Sequence, residues 1–228
     1  MLEFRPLKAE EIECKVSMVR ESGVQLLLYK TARTDMQLLD ETVGAYNWQC
    51  KYEEIKENMY CTISLYDKDK GEWVSKQDCG VESAFGDKEK GEASDAFKRA
   101  GFKVGIGREL YTSPFIWVSS DKCNIKESTN AQGKKIYTTN DTFIVDSIGY
   151  SKEREIITLV IRNAKTNEIC FTMKDNRNAT LELIEKAKSV GVNLEKVCNF
   201  YGVKMPADLK YYQLESSINA KLKAGGIK

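Results

Sequence analysis

Three apolar-rich runs, Asn47–Ile55, Met59–Tyr66 and Glu72–Cys79, follow one another with only short turn segments between them. The segments Lys56-Glu57-Asn58 and Asp67-Lys68-Asp69-Lys70-Gly71 are short enough for antiparallel hairpins, so the three runs predict a β-meander. The next periodic stretch is helical: Ala93, Ala96, Phe97, Ala100 and Val104 recur on one side at about 100° per residue, an apolar stripe of the kind that lies against a sheet. Together they predict an α+β fold, an antiparallel β-meander packed by a long helix.

Around this centre, Lys8 to about Arg20 reads as a helix with Ile12, Val16 and Val19 on one face, and Gly23 to Leu28 as a short strand. Thr31 to Val43 predicts a helix with Met36, Leu38, Leu39 and Val43 apolar, closed by Gly44. A charged connector, Ser83 to Glu89, precedes the long helix, which ends near Gly105 or Gly107. Ser113 to Val118 reads as a short strand. Residues 121–140 are polar and read as a linker or surface loop that follows a core of residues 1–120. In residues 141–228, Thr142–Ile148, Glu155–Arg162 and Glu168–Met173 alternate as strands, and three helices follow. Thr180 caps the first, which Gly191 stops; Asn193 caps the second, which Gly202 stops; the third begins after Pro206 and carries Leu209, Tyr212, Ile218 and Leu222. These strands either extend the sheet of the core or form a small domain of their own.

Composition narrows the chemistry. The 228 residues contain no histidine, which removes Ser-His and Cys-His nucleophiles, His-ligated zinc and imidazole bases together. No G-x-x-x-x-G-K-[ST] loop is present to hold a nucleoside triphosphate. The seven cysteines are widely spaced with no Cys-x-x-Cys pair, and read as reduced, mostly buried small hydrophobes rather than a metal site or disulfide framework. No apolar run is long enough to span a bilayer, and Met1–Pro6 lacks the features of a secretory signal, so a cytoplasmic protein is expected. What remains is mainly binding, and no cofactor, metal or enzymatic step is expected.

The formal net charge is only +1, yet Lys98, Arg99, Lys103 and Arg108 follow one another with no acid between Lys98 and Arg108. On helical angles Asp95, Lys98 and Phe102 fall roughly opposite the apolar stripe, with Arg99 on its flank. The patch is either a solvated polar face carrying an Asp95–Lys98 pair worth about 0.2–0.5 kcal/mol, or a local site for a polyanion. The glycines of Gly105-Ile106-Gly107 read as helix cap and turn, and Trp48, Trp73 and Trp117 as half-buried packing.

Val43-Gly44-Ala45-Tyr46-Asn47-Trp48, the meander ending in Gly80, and Ala93-Ser94-Asp95-Ala96-Phe97-Lys98-Arg99-Ala100 occur in that order. Over residues 8–118 the chain thereby resembles the single-strand annealing proteins of phages, of the Sak type, related to the eukaryotic annealing protein Rad-fifty-two. The resemblance implies an ATP-independent protein that forms homo-oligomeric rings, binds single-stranded DNA in a cationic groove and anneals complementary strands in homologous recombination and DNA repair. It implies that Lys98 and Arg99 contact the DNA backbone, with Arg33 at the start of the helix before the meander. Lys68, Lys70, Lys88 and Lys90 would form a second, outer surface. The chain departs from the eukaryotic pattern at Phe102, where the relative carries a third cation. Phe102 either stacks on a base, with Lys103 and Arg108 restoring the charge, or packs against a neighbouring subunit.

Two other function classes are open. Glu54-Ile55-Lys56 has the E-x-K form of metal-dependent nucleases, with Asp40 as the acid that would share a divalent ion, although it falls at a hairpin turn. Residues 141–228 could instead serve as an interaction module that recruits a partner such as the host single-strand-binding protein.

Overall fold

Residues 13–20 form a strand rather than a helix, and pair in a hairpin with the strand expected after Gly23. Strands β1 (Glu13–Arg20) and β2 (Gly23–Tyr29) pair antiparallel around the two-residue loop Glu21-Ser22. The helical expectation fails for a definite reason: the register shifts between Val16 and Met18. This bulge at Ser17 puts Cys14, Val16 and Val19 on the half-buried face, while Glu13, Lys15, Met18 and Arg20 are exposed. A three-residue step inside a strand imitates the i, i+3 spacing of a helix, and the β-branched Val16 and Val19 favour the strand. Only Ala9–Glu11, a single 3-10 turn, is helical before it.

The computed structural model describes residues 2–81 and 88–224 and divides into two compact units, Met1–Thr172 and Met173–Lys228. The connector expected at Ser83–Glu89 therefore falls largely outside the described residues. Helix α1 (Ala32–Val43) starts at Thr31, whose Oγ1 accepts from the Thr34 amide at 3.2 Å, and ends at Gly44. Its buried side is Asp35, Leu38 and Leu39; Met36, expected on that side, is exposed.

The meander forms as its turns predict, with β3 (Trp48–Ile55), β4 (Asn58–Asp67) and β5 (Glu72–Cys79) in sequential antiparallel order. Helix α2 (Lys88–Val104) packs on β4 and β5 through the predicted stripe: Ala96, Phe97 and Ala100 are fully buried, as are Cys61 and Ile63 of β4. The Phe97 ring meets the edge of Trp48 at 6.1 Å, and the Trp48 indole donates to Asp40 Oδ1 at 2.7 Å.

After α2, a 3-10 turn (Arg108–Thr112) leads to β6 (Ile116–Ser119). The supposed linker is ordered: β7 (Lys126–Thr129) and β8 (Lys135–Thr138) make a hairpin. Strands β9 (Phe143–Tyr150), β10 (Ile156–Asn163) and β11 (Ile169–Met173) extend the sheet of the core, in the order β11-β10-β9-β1-β2-β6. The unit boundary thus lies at residues 172/173 and not in 121–140. Val24, Leu26, Ile116, Val118, Leu159 and Ile161 are among the most deeply buried residues of the six-stranded sheet. The second unit is helical, with α3 (Leu181–Ser189), α4 (Leu194–Tyr201) and α5 (Tyr211–Ala224) around Leu183, Ile184, Ala187, Cys198, Leu209, Leu214 and Ile218. Thr180 and Asn193 cap α3 and α4 as the sequence predicts. No described helix is long and apolar enough to cross a membrane.

The first unit turns on one buried ion pair. Lys30, at the end of β2, and Asp35, in the first turn of α1, are 2% and 0% exposed and hydrogen-bonded to each other. The Lys30 ammonium also donates to the Lys98 carbonyl of α2 at 3.2 Å, so a single side chain joins a strand and two helices. Burial outweighs the mutual attraction: it pushes the Asp35 carboxyl up to about 6 and the Lys30 ammonium down. Asp35 Oδ1 has no hydrogen-bond partner, which adds to the cost of its charge.

The backbone around the pair is cut to fit it. A Cβ at Gly101 of α2 would stand 2.4 Å from Asp35 Oδ2, and one at Gly107 would stand 2.7 Å from the Lys30 stem. Gly107 also has φ +72°, where a side chain is strained in any case. In a free helix Gly101→Ala would gain about 1 kcal/mol from propensity. Here the substitution is expected to destabilise the chain by about 1–3 kcal/mol, because the new methyl group overpacks a buried carboxylate. Urea denaturation measures the difference; a stabilised variant would refute the packing.

The pair also sets a pH dependence of unusual sign. Between the ordinary aspartate value of 3.8 and about 6, the folded chain holds on Asp35 a proton that the unfolded chain has lost. Its contribution to stability therefore falls as pH rises through that window. Glu11, which the Arg5 guanidinium holds below the usual carboxylate range by hydrogen bonding, acts in the opposite sense. Relative to Asp35→Asn, the wild type should lose up to about 3 kcal/mol of unfolding free energy between about pH 4 and about pH 7. Paired denaturation curves at the two pH values test this, and a flat or rising difference contradicts it.

Candidate functional site

The second face of α2 is only partly covered. Asp95, Lys98, Arg99 and Phe102 face the end of β2 and the 108–112 turn across a cleft of about 280 Å³, whose other walls are Leu28, Tyr29, Lys30, Leu110 and Tyr111. A second cleft of about 330 Å³ is lined by Asp78, Arg99, Phe102, Lys103, Arg108 and Tyr111. The two share Arg99, Phe102 and Tyr111, so an aromatic pair and one guanidinium stand between them.

Five of the residues singled out in the sequence, Lys98, Arg99, Phe102, Lys103 and Arg108, are thus brought together. Their charge is less naked than the sequence order suggests. Lys98 lies 3.6 Å from Asp95, and the Asp78 carboxylate at the end of β5 sits 3.7 Å from Arg99 and 3.6 Å from Lys103. Four cations therefore meet two acids, one of them delivered from another element. Lys103 also donates to the Gln77 carbonyl at 2.9 Å. Arg108 caps α2: its guanidinium donates to the carbonyls of Phe102 and Lys103, both at 2.8 Å. Gly105 and Ile106 complete that cap by donating to the Gly101 carbonyl at 3.1 and 2.9 Å.

Phe102 is half-buried and already has partners. The Lys30 ammonium lies 4.5 Å from its ring centroid, and the Tyr111 ring lies 4.6 Å away, tilted by 48°. Tyr111 itself was not singled out in the sequence, yet its surroundings fix it. Glu109 is buried and accepts from the Leu7 amide at 2.7 Å and from Arg154 at 3.0 Å. Leu110 is buried beside it, and Thr112 Oγ1 accepts from the Ile156 amide at 2.8 Å. With its neighbours anchored inward, Tyr111 is left 75% exposed.

The remaining residues do not join this site. Arg33 is exposed on the first turn of α1 and lines neither cleft. Lys68 and Lys70, on the β4–β5 hairpin, line a separate cleft of about 520 Å³ with Asp67 and Asp69, and the Lys70 ammonium lies 3.7 Å from Asp67. Lys90 is exposed on the first turn of α2, and the Lys88 side chain lies outside the described residues. A further cleft, about 730 Å³ between β1 and β9, carries only acids among its charged lining residues: Glu10, Glu13, Asp141 and Asp146. It is of the wrong sign for a polyanion.

The nuclease signature does not assemble. Glu54 and Ile55 end β3 and Lys56 lies in the turn with φ +53°, while Asp40 is engaged by Trp48. Among the described residues no group of three or more acids or cysteines is placed to hold a metal ion. The cysteines are all unpaired, but only Cys61 and Cys198 are buried and Cys50 is exposed, so they are less buried than expected. Desolvation pushes the thiols of Cys14 and Cys61 up to about 12, away from reactivity.

Of the missed residues Asp35 and Asp78, only the first left a trace in the sequence. Asp35 stands three and four residues before Leu38 and Leu39, which places an acid on the buried stripe of α1. Asp78 left none, because only the pairing of β5 with β4 beneath α2 brings it to Arg99. No family model matches the chain, and no match is found among curated proteins or solved structures.

Proposed function

We propose that this chain binds single-stranded DNA and anneals complementary strands without ATP, in phage-type homologous recombination, as its resemblance to Sak-type annealing proteins implies. The observation that carries the proposal is the pair of cationic clefts that meet at Arg99, Phe102 and Tyr111. A protein that pairs strands must offset the repulsion between phosphates while leaving the Watson–Crick edges free, so it needs backbone contacts and no base code. Lys98, Arg99, Lys103 and Arg108 supply such contacts. Their pairing with Asp95 and Asp78 is no obstacle: partly exposed ion pairs are worth about 0–1 kcal/mol, so exchanging a carboxylate for a phosphate costs little. Proton transfer has no part in annealing, which suits a chain without histidine.

The resemblance adds a homo-oligomer, a ring, as the working form; the proposal takes the bacterial cytoplasm as its setting and a host single-strand-binding protein, recruited by residues 141–228, as a partner. Annealing of two labelled complementary oligonucleotides without any nucleotide cofactor tests the core of the proposal. The double variant Lys98→Ala, Arg99→Ala should anneal at least about tenfold more slowly, and the slope of log affinity against log salt should fall by about 0.7 for each lost phosphate contact. Unchanged annealing and an unchanged salt slope would refute the assignment.

A further inference from the structure

We propose that Tyr111 is the residue on which a base of the bound strand stacks, and that Phe102 is the wall that holds it in place. The proposal rests on the reading of the chain as a single-stranded DNA binder. From the sequence, stacking falls to Phe102; the geometry moves it one layer outward. Phe102 has the Lys30 ammonium 4.5 Å from its centroid and the Tyr111 ring 4.6 Å away, and it is half-buried. Tyr111 is 75% exposed, so most of its ring faces solvent.

Exposed aromatic residues occur elsewhere, among them Tyr46, Phe115 and Phe200, but none of these lines either cationic cleft. Tyr111 lines both, with Lys98 in one, Lys103 and Arg108 in the other and Arg99 in each. A backbone crossing Arg99 would have phosphate partners on either side of the tyrosine, and the base between them would lie at the ring. The platform is stiff. Glu109 and Leu110 are buried on one side of Tyr111, and on the other the Thr112 hydroxyl donates to the Glu109 carbonyl at 2.7 Å and accepts from Ile156. A ring already ordered loses little freedom when a base is added, and stacking on it is tolerant of sequence, as annealing requires.

The test separates bases from backbone. Full-length wild type, Tyr111→Ala, Tyr111→Phe and Tyr111→Trp are titrated into a fluorescent oligothymidylate and into an abasic strand of the same length. Tyr111→Ala should bind oligothymidylate about tenfold more weakly, with an unchanged salt slope, and bind the abasic strand as wild type does. Tyr111→Phe and Tyr111→Trp should bind both strands as wild type does. If Tyr111→Ala binds oligothymidylate as tightly as wild type, or loses equally on the abasic strand, Tyr111 does not stack on a base, whereas the DNA-binding reading survives. If the wild type binds neither strand, both fall. Because Tyr111 is exposed, Tyr111→Ala should keep the wild-type circular dichroism spectrum; a changed spectrum shifts the decision to Tyr111→Phe and Tyr111→Trp, whose loss of oligothymidylate binding would overturn the proposal.

Discussion

The buried Lys30–Asp35 pair decides where the parts of the first unit sit. It ties the end of β2 to the first turn of α1 and, through the Lys98 carbonyl, to the middle of α2. Such a pair is poor glue, because taking two charges out of water costs several kcal/mol that their attraction only partly returns. The shifts of both groups toward neutrality express that cost. Its effect is positional. An ammonium with three donors, held by a carboxylate, a carbonyl and the face of Phe102, admits one placement of α2 along β2, where an apolar contact would tolerate sliding. Gly101 and Gly107 belong to the same device, since the pair occupies the space their side chains would fill.

The clefts inherit their shape from that placement. Lys98 lies on the turn whose carbonyl Lys30 binds, Phe102 lies over the Lys30 ammonium, and the 108–112 turn follows the glycine that clears the Lys30 stem. The floor of the site is thus set by a cation that is itself almost fully buried. The same turn is fixed from its other side by Glu109, which spans from Leu7 to Arg154. Two buried charged groups, one under each wall, hold an aromatic pair and a ring of cations in fixed relation. A recognition surface gains from this, because whatever is ordered beforehand need not be ordered on binding.

How much of this can be read from the sequence follows the range of the interactions. The meander, α2, α1 and the caps of α3 and α4 depend on residues within a few positions of one another, and turn and capping chemistry marks them directly. The β1–β2 hairpin is local too, yet the bulge at Ser17 disguises its period. The six-stranded sheet is out of reach for a different cause: β9 and β1 lie far apart in sequence, and nothing in either segment names the other. For the site the division is similar. Lys98, Arg99, Phe102, Lys103 and Arg108 share one segment and are visible together, whereas Lys30 and Asp78 arrive from two other elements and Tyr111 from the turn that Arg108 begins.

Those late arrivals change the meaning of the patch. Read as sequence, four cations without an acid form a field that would attract any polyanion. Folded, the same cations are positioned by Asp95, Asp78 and the end of α2, and their excess charge is modest. A surface that relied on charge alone would gain from dispensing with Asp78, which reduces its potential and competes with phosphate. A surface that must place a phosphate on each side of an aromatic ring gains from keeping it, because Asp78 holds Arg99 and Lys103 at a set spacing along one edge of the cleft. Geometry has been kept at the expense of field strength. On the proposed reading, that exchange would favour a ligand with regularly spaced anions and flat groups between them, as a single strand of nucleic acid has, over a ligand that is merely negative.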